Sequence, residues 1–353
     1  PDVIGSQVRV RVSDTTDPTT VYDTSDNNFS IKGVITLLSP NGNESWEVAS
    51  NHNVTWTLSG TIANVKLEYS TDAGLSYPNT IVATTAASAG TYSWPVPDSI
   101  DNDIRVKVTN LSDSAVNDTS DANFSIVGKV ILTTPNGGEV WAVGSAQSII
   151  WTKVGSIAAV KLEYSTDGGA NYPNLISGSV SGLSYGWTVP DAISTTLKVR
   201  VSDASNAAIN DVSDANFKIR GNLVLNAPNG AEAWIINTNQ AITWTKSGSI
   251  TNVKLDYSID GGTNWSYAIT ASTSAAAGTF AWTIPDSPSI QVRVRVMDTT
   301  DLTVYDASDA NFIIRGGFTV NSPNGSEIWP VNSSKSITWS TLGSITNIKL
   351  EYS

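Results

Sequence analysis

Four loops along the chain gather oxygen-bearing side chains at matching positions. Asp14, Asp23 and Asp26 lie in the first; Asp113, Asp118 and Asp121 in the second; Asp203, Asp211 and Asp214 in the third; Asp298, Asp306 and Asp309 in the fourth. Hard oxygen donors in a loop suit Ca2+, which takes about 6–8 of them. These carboxylates are the candidate Ca2+ ligands, and a cation there would stiffen the contact between neighbouring domains. Their spacing differs from that of an EF-hand loop. The competing reading is metal-free, because Asp and Asn also shape loops by accepting backbone hydrogen bonds from nearby residues. No other cofactor is expected.

Three aromatic residues, Tyr77, Tyr172 and Trp265, share a loop position a few residues after an Asp-Ala-Gly or Asp-Gly-Gly turn. An exposed ring at a repeated position suits contact with a sugar or a protein surface, so these are the candidate interaction residues. Catalytic signals are poorer. The sole histidine, His52, has Gln147, Gln240 and Lys335 at its corresponding positions, which reads as a strand-edge surface residue. Gly182-Leu183-Ser184-Tyr185-Gly186 matches the string of a nucleophile elbow. That motif needs a strand–turn–helix and a His partner, and here it leads straight into a strand. Cysteine is absent, which removes disulfides, thiolate nucleophiles and Cys-bound metals together. No enzymatic activity is expected.

The elements that position these residues repeat, and repetition decides the fold. Trp46, Trp141, Trp234 and Trp329 each close a Pro-Asn-Gly motif, at intervals of 95, 93 and 95 residues. A second Trp follows ten residues later, at 56, 151, 244 and 339, and a third precedes Pro-Asp at 94, 187 and 282. The resulting units are 1–33, 34–128, 129–221, 222–316 and 317–353, the three interior ones complete. The first is a C-terminal tail and the last an N-terminal head. That predicts a window onto a longer array, or ends completed by a neighbouring chain. The start at Pro1, without Met or a leader, points the same way.

Within 34–128, Val65-Lys66-Leu67-Glu68-Tyr69-Ser70 and Ile104-Arg105-Val106-Lys107-Val108 alternate apolar and polar residues, the period of a half-buried strand. Further strands are expected near 34–38, 54–58, 80–85, 90–96 and 122–127. About seven short strands separated by turn residues predict an all-β fold: tandem immunoglobulin or fibronectin III-like β-sandwiches in a linear array. Trp56, Trp151 and Trp244 are expected in the cores, touching the third Trp of their own unit or its neighbours. Lys66 and Glu68 should face Arg105 and Lys107 on a neighbouring strand, as a charge-paired solvent face.

Pro135-Asn136-Gly137-Gly138-Glu139-Val140-Trp141, Ile150-Trp151-Thr152, Leu162-Glu163-Tyr164-Ser165 and Trp187-Thr188-Val189-Pro190-Asp191 resemble the immunoglobulin-like repeats of bacterial and archaeal secreted surface proteins. They are similar to the Kre9/Knh1-type Ser-Thr-rich anchored-protein domain. The resemblance covers the whole chain and implies an extracellular or cell-surface location and no catalytic residues. The net charge of −12 argues against nucleic-acid partners, and no apolar run approaches the ~18 residues of a membrane span. The expected role is structural, a self-associating fibre or surface stalk. The alternative is an adhesin or carbohydrate-binding array, attached to a secreted enzyme or a cell surface, with polysaccharide as partner.

Overall fold

The alternation at Val65 to Ser70 becomes the strand Asn64–Ser70, with Val65 and Leu67 fully buried and Lys66 and Glu68 on the opposite side. Two sheets use this pattern in the unit 34–128. In the smaller, Asn51–Ser59 lies between Thr91–Pro95 and Val34–Ser39, all antiparallel. In the larger, the order is Ser45–Glu47, Phe124–Val127, Asp101–Asn110, Asn64–Ser70, Asn79–Ala86, with Asn117–Thr119 also paired to Asp101–Asn110. Asp101–Asn110 is long enough to pair with Phe124–Val127 through its first half and with Asn64–Ser70 through its second. The computed structural model describes residues 4–353, and the same two sheets recur around 129–221 and 222–316.

Each pair of sheets closes on one core. The first gathers buried residues from Ile35 to Ile126, the next from Val130 to Ile219, the third from Leu223 to Ile314. The molecule is an all-β tandem of immunoglobulin/fibronectin III-like sandwiches. No helix among the described residues is long and apolar enough to cross a membrane.

Trp56, Trp151 and Trp244 are 2%, 1% and 2% exposed, as their place in an alternating strand predicts. They share those cores with the third Trp of their unit but form no ring pair with it. The third Trp packs instead against the first: Trp46 and Trp94 meet edge-on at 5.9 Å and 70°, and Trp46 also lies 5.1 Å from Phe124. The cause is the three-residue strand Ser45–Glu47, which pairs parallel with Ser125 to Val127 and lays Trp46 over the core. A strand that short shows no periodicity in sequence. Trp56 turns its indole N–H elsewhere, donating to Ala87 O at 2.9 Å, in a single 3-10 turn at Ala87–Ala89. Trp244 does the same with Ala275 O in the turn Ala275–Ala277.

Candidate functional site

Most carboxylates of the Asp-rich loops are fastened by hydrogen bonds to donors of their own. Asp118, Asp211 and Asp306 accept the backbone N–H of Leu37, Leu132 and Leu225 at 2.7 Å, tying the loop to the unit's first strand. Asp121, Asp214 and Asp309 accept the Asn41, Asn136 and Asn229 amides at 2.7 Å, and their own backbone N–H groups donate back to the same side chains. Asp203 and Asp298 accept the N–H and hydroxyl of Ser205 and Thr300. Asp14 does so with Thr16, whose hydroxyl holds its carboxyl below the usual range. Asp23 accepts the Thr24 N–H at 3.0 Å, and Asp26 is exposed. Among the described residues no three His, Asp or Glu side chains lie close enough to hold a metal ion together.

Asp113 has a different use. Its carboxylate pairs with Lys32 Nζ of the preceding unit at 2.8 Å, and Asp301 pairs likewise with Lys218 at 2.6 Å. In both, the hydrogen bond from the lysine leads the causes that lower the carboxyl's pKa. At the intervening joint Asn206 stands at the Asp position, and Lys129 pairs with Glu47 at 3.2 Å instead. Solvent screens pairs this exposed and leaves them little weight in stability.

A second fastening recurs at the joints. Asp98, from Trp-Pro-Val-Pro-Asp of one unit, accepts the Ser156 N–H of the next at 2.9 Å and its hydroxyl at 2.5 Å. Asp191 grips Ser249 in the same way, at 3.0 and 2.5 Å, and Asp286 grips Ser344, at 3.0 and 2.7 Å. Under each bracket an isoleucine plugs the joint. Ile157 and Ile250 are 4% and 3% exposed and lie against the linker glycines. A Cβ on Gly128 would fall 2.6 Å from Ile157 Cγ1 and 3.0 Å from Val154 O, and one on Gly221 would fall 2.6 Å from Ile250. Only glycine lets the chain pass the plug this closely. The bracket was missed in sequence because its partners are 58 residues apart in different units; three Pro-Asp pairs, at 97–98, 190–191 and 285–286, each followed at that distance by Gly-Ser-Ile, were the available signal.

The loop aromatics are less available than a binding platform requires. The Arg200 guanidinium lies 4.4 Å from the Tyr172 ring centre, Arg295 lies 4.6 Å from Trp265, and Lys107 Nζ lies 5.4 Å from Tyr77. All three rings are half-buried, and burial raises the pKa of Tyr77 and Tyr172. Beneath the cations the expected solvent face is also corrected. Arg200 and Lys161 hold Glu163 at 2.7 and 2.6 Å, and Arg295 and Lys254 hold Asp256 at 3.1 Å, with Glu163 8% and Asp256 2% exposed. Burial alone would raise Glu163, but its Lys161 and Arg200 partners outweigh it and keep the carboxyl below its usual range. The planar guanidinium stacks on the ring while bonding the carboxylate edge-on, so one side chain covers both.

The catalytic strings dissolve in the fold. Ser184 begins the strand Ser184–Thr188, with no helix after it. His52, read as a strand-edge surface residue, is half-buried and stacks on Trp46 at 4.5 Å and 4°.

No family model and no curated protein matches the chain. Among solved structures it is similar to the fibronectin(III)-like modules of Clostridium thermocellum CbhA, at 16% identity and TM-score 0.19, over 53% of this chain and 94% of that one. It is also similar to the N-terminal four Ig domains of Dscam1 isoform 4.44, at 8% identity and TM-score 0.28, over 83% and 77%. A third similarity is to the N-terminal eight Ig domains of Down Syndrome Cell Adhesion Molecule isoform 1.30.30, at 11% and 0.28, over 85% and 45%. The class of protein, tandem immunoglobulin/fibronectin III-like domains, rests on the strands and sheets described above. The resemblance to the Ser-Thr-rich anchored-protein domain has no family match behind it.

Proposed function

We propose that the chain is a structural spacer of an extracellular or cell-surface assembly, a stalk or fibre built from tandem sandwiches. The observation that carries this reading is the Asp–Ser bracket with its isoleucine plug, present at three successive joints. A rigid joint repeated along a chain makes a rod, and a rod transmits position and force without a catalytic centre. Self-association fits the same reading. The units 34–316 would span about 130 Å at ~3.3 Å per residue along strands of seven or eight residues plus loops. Electron microscopy of single molecules tests the idea: wild-type chains should be straight, and the triple variant Asp98→Ala, Asp191→Ala, Asp286→Ala should bend at the joints. Wild-type chains that already bend freely would overturn it.

A further inference from the structure

The two outer faces of each sandwich differ in charge. The larger sheet carries Lys66, Glu68, Arg105, Lys107 and their counterparts. The smaller sheet turns out threonine, serine, asparagine and aliphatic side chains. In the first complete unit Thr36 stands opposite Thr57 and Thr55 opposite Thr91, with Val34 and Leu38 56% and 52% exposed. In the next, Ile131 faces Thr152 and Ile150 faces Ser184, the isoleucines 42% and 40% exposed. In the third, Val224 faces Thr245 and Thr243 faces Thr279. Across these nine strands the charged side chains are three lysines: Lys129, outward and paired with Glu47, and Lys153 and Lys246, which follow the inward alternation at the strand ends and donate to Ile157 O and Gly248 O.

We propose that this face is where a second copy of the chain docks, sheet face to sheet face. The proposal rests on the fibre reading and names the contact that would hold rods side by side. A chain of net charge −12 repels its own kind. The outer faces of the smaller sheets let two such chains approach without bringing carboxylates together. Exposed isoleucine, valine and leucine supply apolar contact, and threonine rows supply hydroxyls that both donate and accept. The loop aromatics are poorer candidates, since cations already cover them. Three strands ~4.8 Å apart, each ~23 Å long, offer about 300 Å² per unit, well under the ~800 Å² per partner of a stable interface. Association therefore requires several units at once and rises steeply with their number.

Sedimentation velocity of the full chain tests this. Wild type should associate reversibly as concentration rises, and more in 1 M NaCl, which screens the net charge. Thr57→Glu, Thr152→Glu, Thr245→Glu together should hold the chain monomeric. The same three sites changed to Lys should also hold it monomeric, although lysine lowers the overall repulsion. Leu75→Glu, Ala170→Glu, Thr263→Glu add equal charge beside the loop aromatics and should associate within about twofold of wild type. Matching thermal melts show that each variant is folded. Lys variants that associate more than wild type, or wild type that stays monomeric in high salt, would overturn the proposal. Straight but solitary rods would do so while leaving the spacer reading intact. Retention on insoluble cellulose or chitin, lost in both face variants without any self-association, would overturn it in favour of a flat polysaccharide.

Discussion

The central unit, 129–221, and the units on either side of it solve the same packing problem with one difference. Trp56 and Trp244 donate their indole N–H to a carbonyl in a 3-10 turn. Trp151 is equally buried, yet its Nε1 has no acceptor among protein groups. The central unit is two residues shorter, and the shortening falls between Asn174 and Leu183. There the strand Asn174–Val180 runs into Ser184–Thr188 through three residues with no helical turn. The backbone bond from the Trp strand to the end of that loop is retained, Trp151 N–H to Leu183 O at 3.1 Å, where Trp56 uses Gly90 O at 3.0 Å. A loop can thus lose length without moving its sheet while orphaning a side chain buried beneath it.

Truncation to alanine should hide the difference. Trp56→Ala, Trp151→Ala and Trp244→Ala should each cost about 3–5 kcal/mol, because burial and not the hydrogen bond dominates. Denaturant unfolding of each variant measures this, and a much cheaper Trp151→Ala would break the equivalence of the cores. Phenylalanine should expose the difference. Trp56→Phe and Trp244→Phe discard a made hydrogen bond and Trp151→Phe discards an orphan donor, so the flanking variants should lose about 1–2 kcal/mol more. Replacing 180–183 by the six residues 85–90 of the preceding unit should return an acceptor to Trp151, stabilise the central unit by about 1 kcal/mol and slow its indole N–H exchange.

Acid should act on all three units alike. Asp72, Asp167 and Asp260 have pKa values lowered to about 2; Ser70 and Ser165 hydroxyls lead the causes in the first two and the Asn264 N–H in the third. A carboxylate depressed in the folded state contributes stability above its unfolded pKa, about 4, and loses it as pH falls through the folded value. Melting temperatures should hold from pH 7 to 4 and fall between 4 and 2. Changing all three to Asn should flatten that fall; an unchanged profile would assign acid sensitivity elsewhere. The smallest effect should come from chelation: EDTA should leave the melt within a degree or two, and a drop of ten degrees would put Ca2+ back in the Asp loops.

Much of this was legible in residues. Val65 to Ser70 and Ile104 to Val108 declare their strands by alternation, and Trp56, Trp151 and Trp244 their burial by position. What was not legible is what depends on pieces far apart in sequence or too short to show a period. Glu163 alternates outward and should be wet; it is buried because Arg200 comes from the next strand and Tyr172 covers that cation from a loop. Ser45–Glu47 has too few residues for periodicity. The Asp98–Ser156 bracket belongs to neither unit alone. The Asp loops read as a cation site because sequence shows which oxygens are near one another along the chain, and not which N–H each will face.

One fastening also governs how the chain ages. Asn-Gly is the dipeptide most prone to deamidation, in which the glycine nitrogen attacks the asparagine side-chain carbonyl to form a succinimide. At Asn41-Gly42 the glycine N–H is held by Glu44 at 2.7 Å while the asparagine amide is held by Asp121, and Asn136-Gly137 and Asn229-Gly230 are held alike. The attacking nitrogen and the amide under attack are each pinned to a different carboxylate, so the fold keeps them from meeting. Removing one carboxylate, Asp121→Ala, should therefore make isoaspartate accumulate at Asn41 before Asn136 or Asn229, an order that peptide mass spectrometry of stored protein reads directly.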